Sequence, residues 1–100
     1  MPPPAARREA EVVNPKGLHM RPSTRFVKLA GSYGSQVRVS CNGKSANGKS
    51  ILDMSILAAE CGTTLVIEAE GPDAEEAVAA LADLVAARFH MEDDGDNEAL

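Results

Sequence analysis

One hundred residues, 44% of them hydrophobic, make one ordinary domain with one core, and only three aromatic residues leave that core to Ala, Val, Leu and Ile. No apolar run approaches the ~20 residues that cross a bilayer, and the opening MPPPAARREAE lacks the apolar stretch of a secretory signal. A net charge of −5, with only three aromatic residues to stack on bases, argues against nucleic acid as the partner.

Residues 1–8 are a proline-rich leader with nothing to bury, expected to be disordered. A single domain is expected over 9–90. REAEVV alternates as a strand does, and NPKG ends it with turn residues. From Met20 to Tyr33 the spacing turns helical, with Phe26, Leu29, Ala30 and Tyr33 on one face, and Gly31 and Gly34 give the exit. SQVRVSC is a second strand. Asn42-Gly43 then makes a hairpin turn, because both central residues of a type I′ turn need positive φ, and KSAN returns as a third strand. ILDMSILAA reads as a brief helix with Ser50 as N-cap and Asp53 three residues on, as in a capping box. TLVIEAE is the last strand. A long helix follows from Asp73 to about Phe89, with Asp73 and Glu76 as a second capping-box match. The tail MEDDGDNEAL, residues 91–100, is acidic and expected to be disordered. The order β-α-β-β-α-β-α with alternating strands predicts an α+β, two-layer open-faced sandwich.

The charges segregate. Val12 to Leu52 holds seven bases and no acid, whereas Asp53 to Met91 holds eight acids and one base. A continuous basic block in an acidic chain points to an anion or an acidic partner surface. Cys41 and Cys61 stand in no metal-binding spacing and read as free thiols of a reducing cytoplasm. His90 has no spacing to His19 or to the cysteines that suggests a metal. Neither a metal nor a cofactor is expected.

Gly43 to Ser50 matches the nucleotide-binding pattern G-x-x-x-x-G-K-[ST] residue for residue. Three features oppose that reading. The first glycine is better explained by the hairpin. The following helix is short, ending by Gly62. The parallel sheet that surrounds such loops needs more chain than this.

GLHMRPS, residues 17–23, is the more informative stretch. Gly17 makes a turn, His19 arrives at the N-terminus of a helix, and Pro22 sits in the first turn, where a missing N–H does little harm. An imidazole is thereby set against the positive end of a helix, with Arg21 alongside, which suits a dianion. Imidazole titrates near neutrality, so the same nitrogen can accept a phosphoryl group as a nucleophile and later release it. A plain cap or turn residue is the bland alternative.

GLHMRPS resembles the active-site motif of the histidine-containing phosphocarrier (HPr) family of the phosphoenolpyruvate-dependent phosphotransferase system. NGKSANGKS with its short helix resembles that family's second signature, and TLVIEAEGPDAEEAV its last strand and final helix. The likeness spans about residues 9–90. It implies a four-stranded antiparallel sheet of order 1-4-2-3 covered on one face by three helices. It implies a phosphoryl carrier rather than a turnover enzyme: enzyme I phosphorylates His19 on Nδ1, Arg21 stabilises the group, and an enzyme IIA-type domain receives it. Ser50 matches the serine that HPr kinase/phosphorylase modifies in many members, and the alternative reading is a regulatory phosphoprotein controlled through Ser50 with no role in sugar transport. Met20, Ile51, Leu52 and Met54 are expected to form the docking patch of a monomeric chain without membrane insertion. Met20 is bulkier than the usual residue beside the histidine, and Asp53 adds an acid to the docking helix.

Overall fold

The computed structural model describes residues 4–90. The elements are β1 (Ala5–Glu11), α1 (Met20–Ala30), β2 (Gln36–Cys41), β3 (Lys44–Asn47), α2 (Ile51–Leu57), β4 (Thr64–Glu70) and α3 (Ala74–Ala86), with a short turn at Arg88–His90. The strands form one antiparallel sheet of order β1-β4-β2-β3. Period-two alternation decides which face is covered. Val37, Val39, Cys41, Leu65, Ile67 and Ala69 point into the core, while Arg7, Arg38, Glu68 and Asn47 lie in one cross-strand row on the open face. Helices cover the first face only. From them Phe26, Met54, Val78, Leu81 and Val85 complete the core, and Phe89 is fully buried with them. Asn42 and Gly43, at φ 51° and 79°, make the expected hairpin turn between β2 and β3.

Several element boundaries differ from the sequence reading. The first strand runs from Ala5 rather than Arg8 and stops at Glu11, so part of the expected leader pairs with β4. Val12 leaves the ladder but stays fully buried, exchanging backbone hydrogen bonds with Gly62 and Thr63. α1 stops at Ala30, short of Tyr33, and α2 stops at Leu57, where Ala58 takes a left-handed conformation. α3 ends at Ala86. Arg88, Phe89 and His90 then all have φ near +58°, so the expected helical run to Phe89 reverses hand at its end. The acidic tail lies outside the described residues.

The two expected capping boxes resolve differently. Ser50 Oγ accepts the Asp53 N–H at 3.2 Å, as an N-cap should, but the Asp53 carboxylate turns to the Asn47 N–H at 3.1 Å. Asp73 makes no side-chain cap at all. Its carboxylate accepts the backbone N–H groups of Gly34 and Ser35, each at 2.9 Å, and the Ser35 hydroxyl, which tethers the start of α3 to the exit of α1. The Ser35 hydroxyl first, then the Gly34 N–H, hold the Asp73 carboxyl below its ordinary 3.8. A depressed carboxyl pKa contributes stability above the unfolded value and loses it as pH falls through the folded one. Asp73→Asn is therefore expected to unfold more easily at pH 7, with the gap to wild type closing below about pH 4. Denaturant unfolding at both pH values checks it; an unchanged gap at acid pH would contradict the tether.

Candidate functional site

The turn Asn14-Pro15-Lys16-Gly17 closes through the Gly17 N–H and the Asn14 carbonyl at 2.9 Å, with proline at the position that suits its fixed φ. Gly17 has φ +74°, and a Cβ there would stand 2.6 Å from the Ala59 carbonyl oxygen. This close approach lets the next residue bond: the Leu18 N–H donates to Ala59 O at 2.8 Å, and the Leu18 side chain is buried. The chain is thus pinned to the end of α2 one residue before the histidine.

His19 is the N-cap of α1, extended at φ −100° and half-buried, and its side chain makes no cap hydrogen bond. Its carbonyl accepts the Ser23 N–H at 3.0 Å. The first turn carries no acidic residue, so nothing there opposes an anion. Arg21 is half-buried in the same turn, and Pro22 is buried beneath it. The turn after α3 closes the site from the other side. Asn14 Nδ2 donates to the Arg88 carbonyl at 3.2 Å, and Arg25 donates to the Phe89 carbonyl at 3.5 Å.

α2 lies beside α1 with its ends opposed. Lys49 Nζ donates to the Tyr33 carbonyl at 2.8 Å, so the Ser50 end sits by the exit of α1, while Ala59 sits by Leu18. Ser50 and His19 therefore stand at opposite ends of the helix pair, at least ~10 Å apart, the length of the seven-residue α2 at 1.5 Å per residue. Among the described residues the large exposed apolar side chains are Met20 (57%), Leu52 (67%) and Ile56 (63%). Ile51 is half-buried, but Met54 is fully buried and cannot serve as a docking contact. Met54 and Leu57 line the inner side of α2; Leu52 and Ile56, four apart, share the outer one. Sequence reading missed Ile56 and Asn14. An apolar residue four after Leu52 was the available signal for the first, and an asparagine opening an N-P-x-G turn for the second.

The loop Asn47–Ser50 has no backbone N–H groups to spare for a nucleotide, since Asn47 N–H already donates to Asp53. Gly48 N–H donates to Val37 O, Lys49 N–H to Asn47 Oδ1 and Ser50 N–H to Asn47 O, while a Cβ at Gly48 would meet Val37 Cγ1 at 2.5 Å. Gly48 and those amides serve the packing of the loop. Among the described residues no cluster of His, Cys, Asp and Glu could hold a metal ion, and no helix is long and apolar enough to cross a membrane.

The family described as "PTS HPr component phosphorylation site" matches residues 6–87. The phosphocarrier protein HPr of Cupriavidus necator is 43% identical over 83% of this chain and 93% of its own length. Two solved structures from Thermoanaerobacter tengcongensis are also similar. HPr-C-His superposes with a TM-score of 0.82 at 38% identity, covering 87% of this chain and 98% of that one. A structure described as an HPr dimer gives 0.67 at 41% identity, over 73% and 84%.

Proposed function

The chain belongs to the HPr family of phosphotransferase-system phosphocarriers, and we propose that His19 is the residue that carries the phosphoryl group, from enzyme I to an enzyme IIA-type domain. The imidazole nitrogen Nδ1 attacks phosphorus, the bond to the donor on enzyme I breaks, and the new P–N bond later breaks in turn when the IIA-type acceptor attacks. The chain emerges unchanged, as a carrier and not a catalyst of net reaction. Arg21 and the first-turn N–H groups stabilise the charge of the bound group and of the loose transition state. One observation carries this reading: the histidine caps a helix whose first turn holds an arginine and no acid.

Met20, Leu52 and Ile56, with half-buried Ile51, offer partners an apolar patch beside the histidine, and Lys16, Arg21, Arg25, Lys28 and Lys49 surround it with positive charge. Three exposed apolar side chains suit brief contacts better than a permanent interface, so the chain acts as a monomer. We also take Ser50, half-buried at the other end of α2, as the target of an HPr kinase/phosphorylase, a reading supported by its match to the serine modified in many family members.

The relay is tested by charging the protein with labelled phosphoenolpyruvate and enzyme I, removing the donor, and adding an enzyme IIA-type domain. Label should leave the chain and appear on the acceptor. Leu52→Glu, an exposed change of little consequence for folding, should slow both steps about tenfold, since a charge in a docking patch costs more than ~1 kcal/mol. Label that never moves on would contradict the relay.

A further inference from the structure

The ten residues after His90 have no part in the relay, whereas the basic row of α1 borders its site. Arg21, Arg25 and Lys28 stand at i, i+4 and i+7 and so share one side of α1. Arg25 and Lys28 are exposed. This side faces the point where the chain leaves α3, because Arg25 Nη1 reaches the Phe89 carbonyl at 3.5 Å.

That exit is built and held. Three successive non-glycine residues, Arg88, Phe89 and His90, take left-handed φ of 58°, 58° and 57°, a conformation that L-residues avoid and that persists only where its surroundings enforce it. Full burial of Phe89 and the two hydrogen bonds from Asn14 and Arg25 enforce it here. The next residues read MEDDGDNEAL, five acids and no base in ten. An extended segment of ten residues reaches up to ~33 Å, about twice the ~16 Å length of α1.

We propose that the acidic segment 91–100 docks on the Arg21–Arg25–Lys28 row of its own chain and there competes with acidic partner surfaces for the approach to His19. The occupant follows from where the segment starts and from its charge. Each exposed ion pair is weak and screened by salt, but the tether supplies an effective concentration of roughly millimolar. Occupancy is therefore partial, fast to exchange and strongly salt-dependent, which makes the segment a competitor and not a lock. The docking stands on its own; the effect on phosphoryl transfer rests on the phosphocarrier reading.

Zero-length carbodiimide coupling of the full chain at low salt, followed by peptide mass mapping of the monomeric product, tests the docking. The expected product joins Glu92, Asp93, Asp94, Asp96 or Glu98 to Lys28 and disappears in 1 M salt, where the screening length falls to about 3 Å. Coupling that favours Lys44 on the edge strand β3 as much as Lys28, coupling only between two chains, or no coupling would each overturn it. The consequence is tested with the quintuple variant E92Q/D93N/D94N/D96N/E98Q. Enzyme I should phosphorylate it severalfold faster than wild type at low salt and equally fast at high salt; equal rates at both would overturn the competition. If neither protein is phosphorylated, the carrier reading falls, and the competition with it, while the cross-link still decides the docking.

Discussion

Replacing Ser50 with aspartate is expected to slow phosphorylation of His19 by enzyme I at least about tenfold, a barrier increase of ~1.4 kcal/mol, without lowering thermal stability. Stability is spared because aspartate caps a helix as well as serine does and puts its charge at the favourable end of α2. A direct field from Ser50 cannot produce such a rate effect. Two unit charges ~10 Å apart in water interact by only ~0.4 kcal/mol, about one Debye length at ordinary salt, and that is worth about a factor of two. The larger effect has to pass through the docked partner. A carboxylate beside Asp53, next to exposed Leu52 and at the edge of the basic surround, repels an acidic partner and puts a charge beside its apolar contact. Initial rates of phosphoryl transfer to the wild type and the variant decide the matter. Equal rates would remove α2 from the docking surface.

Gly17→Ala is expected to cost ~2–5 kcal/mol of stability. A left-handed backbone costs an L-residue about 1–2 kcal/mol, and overpacking adds about 1–3. A Cβ at Gly17 would sit 2.6 Å from the Ala59 carbonyl oxygen and 3.0 Å from Glu60 Cα, both backbone, so no side chain can rotate away. For a domain of this size the loss lowers Tm by roughly 10–40 °C. Function should fall with it, since the same approach makes the Leu18–Ala59 hydrogen bond that fixes the residue before His19. Thermal unfolding checks the first part; a Tm within a few degrees of wild type would show that the turn has slack.

The two recognition motifs were legible because local rules dictate them. Asn-Gly demands the hairpin, Ser50 caps the helix that follows, and Gly17, Pro22 and His19 mark a helix start by their backbone chemistry. Where tertiary contacts decide, sequence falls short. ILDMSIL is apolar on every side, so periodicity could not tell that Met54 faces in and Ile56 out; packing of α2 against the core decided it. Asp73 reads as a helix cap, yet two backbone amides and a hydroxyl from Gly34 and Ser35, nearly forty residues away, outcompete its own helix for the carboxylate. The left-handed turn at Arg88–His90 has no local signal at all. It exists because Phe89 has a place in the core and because Asn14 and Arg25 hold the carbonyls. The expected strand REAEVV was misplaced because Val12 and Val13 fit a strand by propensity, whereas β1 pairs with β4 from Ala5 to Glu11.

If His19 carries the phosphoryl group, the mass of the protein must show it. The most direct measurement is the intact mass of wild type and His19→Ala after incubation with phosphoenolpyruvate and a competent enzyme I, read before and after mild acid. The wild type should gain one phosphoryl group, stable in base and lost in acid as a phosphoramidate is, and His19→Ala should gain none. An adduct of the same acid lability on His19→Ala, or none on the wild type, would contradict the account.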